Sequence, residues 1–336
     1  MTQPSVKHWQ LGQTPWLGEA PILPPGVRVI IDNDFSGDPD DLYQLVHHLL
    51  SPNVDIRLII GSHLREGDFI DPGPDTATHA CRRVQDVLDA MGLDASHLIK
   101  QGAQTAMPDA ASPQPSEACD AIIVEALRTD ATTPLFYVAG GGLTDIASAY
   151  LTNPAIADKL TLIWIGGTEY PGLADPPPFA DNPEYNYNID PVAARLVLSA
   201  SSLDLWQVPR DAYRQCLVSD IELRTKVAPM GAVGQLLYQA VRRITAHGND
   251  RGPYATETYV LGDQPLVTFT ALLSHFQPGP ASSDWVTLPA PQLTADGRPQ
   301  PGHGRPIRVF TRIDNRLTFE DFFTKLAAFA AWQTNA

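Results

Sequence analysis

Short apolar runs recur along the chain, and each hands over to a segment of helical period. They read VRVIID (27–32), VDIRLIIG (54–61), PLFYVAGG (134–141), KLTLIWIGG (159–167), LDLWQVP (203–209) and, late, RPIRVFTRID (305–314). Runs this uniformly apolar suit strands covered on both faces, as in parallel sheets. Between them, DDLYQLVHHLLS sets Leu42, Leu45, Val46, Leu49 and Leu50 on one helical face. Further helices are expected over Thr76–Met91, about Glu117–Arg128, from near Leu143, over DPVAARLVLSA with Pro191 in its first turn, over Gly231–Ala246 and over Gln264–Ser274. TFEDFFTKLAAFAAW closes the chain as a helix with Thr318 as N-cap. The alternation predicts an α/β fold, a mostly parallel central sheet with helices on both faces. With 336 residues and 43% apolar content, no internal repeat and no linker, the chain reads as an irregular arm over 1–26 and a single domain over 27–336. Trp164 and Trp206 fall in strands and are expected in the core.

Parallel sheets bind ligands at the carboxyl ends of their strands. Three loops lie there: Asp32–Asp41, Gly140–Gly142 and Gly166–Asn188. The first places Asp32, Asp34, Asp38, Asp40 and Asp41 within ten residues. Like charges this close repel on the kcal/mol scale unless a cation sits among them or some are protonated. No Cys/His set has zinc spacing, which leaves calcium or magnesium held by oxygens. The plainer alternative is a set of solvated aspartates, with Asp38 or Asp40 capping the helix. An ion beside two carboxylates also suits water activation. Gly140–Gly142 lacks the following Gly-Lys-Ser/Thr of a phosphate cradle.

The net charge of −15 speaks against a nucleic-acid partner, because phosphate binding needs basic patches. Cys81, Cys119 and Cys216, odd in number and widely spaced, read as reduced thiols of a cytoplasmic protein. The N-terminus lacks the pattern of a secretory signal, and no apolar run is long enough to span a bilayer, so no membrane association is expected.

Four stretches, in order, carry a resemblance to one family: IIDNDFSGDPDDLYQL (30–45), VAGGGLTDIASAYLTNPAIADKLTLIWIGG (138–167), PEYNYNIDPVAARLVL (183–198) and YVLGDQPLVTFTAL (259–272). Together they resemble the calcium-dependent nucleoside hydrolases, whose Asp-x-Asp-Pro-Gly-x-Asp-Asp loop leaves the first strand and opens the first helix. The resemblance implies calcium (Ca2+) as cofactor and hydrolysis of the N-ribosyl bond of a small nucleoside-like substrate, in a homo-oligomer of two or four copies. It implies that Asp34 binds calcium and acts as base toward the attacking water. It further implies that Asp41, Asp263 and the Gly140 carbonyl complete the metal site. Asp40 then holds a ribose hydroxyl, and Glu184 and Asn186 bind the sugar. At Gly140 only the carbonyl matters, so glycine is expected to be harmless there.

The departures from the family are local. The first loop is two residues longer, which makes Asp38 an extra carboxylate. A histidine that helps the base depart is replaced by Gly262, leaving Tyr254, Tyr259 and His247 as other proton sources. The sugar-binding asparagine ahead of Glu184 is out of register at Pro178, with Asn182 the nearest candidate. His63, in IIGSHLREGD, is expected to pack at a strand end. Two other readings stay open: a non-catalytic sugar-binding relative, and an aspartate-nucleophile phosphatase built on IIDNDFS.

Overall fold

The computed structural model of the protein describes residues 6–18, 24–178, 183–249, 257–274 and 282–335. Its centre is an eight-stranded sheet. The strands with helical crossovers are β1 (Val27–Asn33), β2 (Val54–Gly61), β3 (Ile99–Gln101), β4 (Leu135–Ala139), β5 (Leu160–Ile165) and β6 (Asp204–Val208). The order is β3-β2-β1-β4-β5-β6, extended by Pro306–Arg312 and then by Asp284–Pro289 at the edge. All pairings are parallel except the last, Asp284–Pro289 against Pro306–Arg312. The expected α/β architecture is therefore the observed one.

Register aligns the carboxyl ends. Asn33 stands opposite Gly61, and Asp32 opposite Ala139. Every residue of β1 is buried, as a central strand covered on both faces requires. Alternate side chains feed two cores. Val29, Ile31 and Val138 pack with α1 (Asp40–Leu49), α2 (Thr76–Met91) and the C-terminal helix Asn315–Thr334. Ile30, Tyr137 and Trp164 pack with α3 (Glu117–Ala126) and α4 (Thr144–Thr152). Trp164 and Trp206 are both in the core. The arm is pinned as well as irregular: Trp9 is buried, donates its indole N–H to the Met91 carbonyl at 2.9 Å and meets Trp16 and Phe329 edge-on.

Several expected elements change. The helix read over Gln264–Ser274 is only Pro265–Thr268. The Thr270 hydroxyl turns back onto the Leu266 carbonyl at 2.7 Å, a local bond that competes with continued helix. The segment DPVAARLVLSA is split into α-helical Pro191–Arg195 and a π-helical turn over Leu196–Ala200. Thr318 is not the last helix's N-cap. Asp314 is, accepting from the Leu317 N–H at 2.9 Å, so that helix starts a turn earlier. β3 and the edge strand Asp284–Pro289 had no expectation at all.

Candidate functional site

The site is built where β1 ends. Its side chains diverge there, Asp32 to one face of the sheet and Asn33 to the other. Asp32 accepts a hydrogen bond from the Tyr137 hydroxyl on β4. Beyond Asn33 the chain turns tightly, with Gly37 N–H on the Asp34 carbonyl at 2.7 Å, and α1 begins at Asp40. Neither Asp38 nor Asp40 is the cap. Pro39 holds that position without a side-chain bond, and Asp38 accepts the Asp40 N–H at 3.4 Å without serving as the cap. Asp40 and Asp41 thus sit in the first turn, where the helix dipole favours negative charge.

Asp263 arrives from the far end of the chain, between a short strand, Thr258–Val260, and the helix Pro265–Thr268. Carboxylate oxygens of Asp40, Asp41 and Asp263 all lie within 4.8 Å of one another. Asn33 ties this group together. Its amide donates to Asp41 at 2.7 Å and to Asp263 at 2.9 Å, and its oxygen accepts the Gly140 N–H at 3.1 Å. Beneath it, Gln44 links Asn33 to His48, and separately His47 bridges Gln264 and Asp321 of the last helix. Burial holds both imidazoles below their usual range.

The glycine turn after β4 is a spatial requirement here. A Cβ at Gly140 would lie 2.0 Å from Asp263 Oδ2, and one at Gly141 would lie 2.6 Å from Asp34 Oδ1. Glycine at 140 is more than harmless: any Cβ there would force the Asp263 carboxylate or the turn to shift. The Gly140 carbonyl accepts the Asn186 amide at 2.8 Å and faces the same cavity. A carbonyl oxygen has a second lone pair for another ligand.

The cavity is about 250 Å³ and is lined by Asp34, Asp38, Asp40, Asp41, Asp263 and Glu184, with Gly140, Asn186, Tyr185, Tyr213 and Arg214 among its other walls. Burial, and next the charge of Asp263, push the Asp34, Asp40 and Asp41 carboxyls well above the carboxylate range. Burial pushes Asp263 up to about 7. One oxygen of Asp34 and one of Asp41 are buried without any hydrogen-bond partner. Buried, unsatisfied oxygens of a carboxylate group cost free energy unless a ligand meets them. An all-oxygen donor set with orphaned oxygens and a glycine-lined approach fits a hard divalent cation.

The structure brings the expected metal set, Asp34, Asp41, Gly140 and Asp263, to one cavity; Asp40 joins Asp41 and Asp263 in its tightest group. Glu184 is present but saturated. As N-cap of the helix Tyr185–Ile189, it accepts from the backbone N–H groups of Asn186 (3.2 Å), Tyr187 (3.0 Å) and Gly167 (2.7 Å), and from the Tyr213 hydroxyl (2.9 Å). Asn186 spans the ends of β4 and β5, donating to the Gly140 and Ile165 carbonyls at 2.8 Å each. Asn182, Tyr254 and the His247 side chain lie outside the described residues. Tyr259 donates to Asp38, and Tyr185 donates to the buried Asp68 at 3.0 Å. His63 packs at the end of β2 as expected, against Thr144 and the Leu64 carbonyl. Gly262 leaves room for Tyr213: a Cβ there would lie 3.2 Å from both the Tyr213 ring and Asp40. Sequence reasoning missed Asn33, Asp68, Tyr185 and Tyr213. Asn33, Tyr185 and Asp68 fall inside stretches quoted from the sequence, and Tyr213 does not.

Comparison with known proteins follows the same geometry. Among curated proteins, none matches the chain by sequence. Among solved structures, a plant nucleoside hydrolase superposes with a TM-score of 0.67 at 18% identity, covering 90% of this chain and 99% of its own. A purine-preferring ribonucleoside hydrolase from Gardnerella vaginalis gives 0.65 at 18% identity, with the same coverage. An inosine-uridine preferring nucleoside hydrolase from Bacillus anthracis gives 0.62 at 19%, again covering 90% and 99%. These likenesses establish the fold. The sequence itself matches the inosine-uridine preferring nucleoside hydrolase family over residues 29–315, from within β1 to the start of the last helix. No helix among the described residues is long and apolar enough to cross a membrane. With that match spanning the acidic loop, the glycine turn and Asp263 alike, the chain belongs to the inosine-uridine preferring nucleoside hydrolase family.

Proposed function

We propose that this cavity hydrolyses the N-ribosyl bond of a nucleoside-like substrate, with calcium held by Asp34, Asp41, Asp263 and the Gly140 carbonyl. The observation that carries the reading is the meeting of Asp40 and Asp41 with Asp263, more than two hundred positions away, at a cavity also lined by Asp34, one oxygen of which is buried without a partner. When bound, the ion acidifies a nearby water and helps fix the sugar hydroxyls. Asp34 accepts the proton of the attacking water. Asp40 hydrogen-bonds a ribose hydroxyl, and Glu184, Asn186 and Asn182 bind the rest of the sugar. Glu184 does so by exchanging the Tyr213 hydroxyl for one of the sugar's, because its other donors are backbone N–H groups. Fixed carboxylates around the anomeric carbon favour the positive charge that develops there.

The test is ribose release from purine and pyrimidine nucleosides with calcium, with magnesium and with chelator. Chelation is expected to abolish release and calcium to restore it, and Asp34→Ala is expected to lower kcat by about a thousandfold or more. Release that persists in chelator sinks the reading. The saturated Glu184 favours one second reading, a sugar-binding relative without turnover; ribose that raises Tm while no nucleoside yields product selects it. The phosphatase reading needs a lysine near the phosphate, and none lines the cavity among the described residues.

A further inference from the structure

The cavity is lined by more carboxyl groups than the charge of one divalent ion can match. Its lining carboxylates are Asp34, Asp38, Asp40, Asp41, Glu184 and Asp263. A divalent ion supplies two positive charges. Arg214, exposed at the rim, is the one basic residue lining the cavity among the described residues. Arg210, one residue beyond Pro209, is buried and committed to Glu169 through two bonds of 2.6 Å. A further carboxylate, Asp68, is fully buried behind the wall and accepts from the hydroxyl of Tyr185, which itself lines the cavity. Tyr185 and Tyr213 supply aromatic walls, and both hydroxyls are already donated to carboxylates.

Resting on the hydrolase reading above, we infer that the preferred substrate is an N-riboside whose leaving base is a cation, such as a pyridinium. A low-dielectric pocket with surplus anionic charge concentrates cationic ligands, and aromatic faces add cation–π attraction. The chemistry is also suited to these walls. Water attacks C1′, one of its protons passes to Asp34, and the C1′–N bond breaks. The bonding electron pair goes to the ring nitrogen and cancels its charge, so the base departs neutral without receiving a proton. The products are ribose, the neutral heterocycle and one proton released to solvent. A neutral purine or pyrimidine, by contrast, departs as an anion unless a donor reaches it, and the wall tyrosines' hydroxyls point at carboxylates.

The experiment compares kcat/KM of the calcium-loaded protein for N-ribosylnicotinamide, inosine and uridine. The cation is expected to lead by at least about tenfold, with a KM that rises severalfold with added salt while those of the neutral substrates do not. Asp38→Asn is expected to lower the ratio of cation to inosine kcat/KM by at least about threefold. Asp68→Asn serves as the second variant should the first misfold, as judged by circular dichroism. Inosine or uridine turned over as well as the cation, or a ratio that neither variant moves, overturns the inference and leaves the hydrolase reading standing. No ribose from any of the three sinks that reading as well.

Discussion

Two sets of aspartates lie on opposite faces of the same sheet, and they are equally hidden from water. On one face, Asp190 is fully buried and fully answered. Its carboxylate accepts from the backbone N–H groups of Met107, Val192 and Ala193 and from the Thr144 hydroxyl, all within 3.0 Å. Asp145, beside it, accepts from Ala103 N–H and the Ser116 hydroxyl. On the other face, Asp34 and Asp41 are just as buried, yet each keeps an oxygen with no partner, and Asp41 stands close to the carboxylates of Asp40 and Asp263. Burial alone therefore does not distinguish a functional acid from a structural one. The hydrogen-bond account separates these two pairs: Asp190 and Asp145 organise backbone, while Asp34 and Asp41 each keep a buried oxygen without a partner.

The largest contrast is expected between Asp34→Ala and Asp190→Ala. The first removes an unsatisfied carboxylate, so thermal unfolding in chelator is expected unchanged or raised while ribose release collapses. The second strands several buried donors and is expected to cost about 3–5 kcal/mol of stability. If Asp34→Ala unfolds the protein and Asp190→Ala does not, the comparison fails. Next comes Gly140→Ala. Its Cβ must displace Asp263 or the turn, and calcium affinity is expected to fall by about tenfold or more; an unchanged titration would show that the close approach is unimportant.

The pH response sharpens the same contrast. A carboxyl whose folded value is raised binds its proton more tightly folded than unfolded. Raising pH between the two values therefore removes stability. For Asp263 that window runs from its ordinary 3.8 to about 7. The metal-free protein is expected to lose Tm steadily from pH 4 to pH 7, and calcium is expected to abolish most of the loss; a flat Tm in chelator contradicts the assigned environment. The smallest effect belongs to the answered face. Ser116 caps α3 through the Cys119 N–H and donates to Asp145, so Ser116→Ala is expected to cost about 1 kcal/mol in denaturant unfolding and to leave calcium binding alone.

Much of this was legible in the sequence because the signals are local. Uniform apolar runs marked the central strands, and helix α2 fell on Thr76–Met91 as read. The aspartates of the first loop stood out by density alone. What escaped depends on distant partners or weak patterns. β3 is three residues long, and the edge strand Asp284–Pro289 is largely exposed, so neither shows a buried run. Asn33 looks like a bland loop residue until Asp263, 230 positions away, arrives beside it. Tyr213 carries no motif and Asp68 only closes IIGSHLREGD, and their roles arise only where Tyr213 meets Glu184 and Asp68 meets Tyr185. The need for glycine at 140 was equally invisible, since it is set by a carboxylate from the far end of the chain.

The account turns on one divalent ion joining the first loop to Asp263. Calorimetric titration of chelator-stripped protein with calcium tests it directly. One ion bound per chain, with protons released on binding and the heat lost in Asp263→Ala, is the predicted result. No saturable binding, or binding that survives Asp263→Ala undiminished, would contradict it.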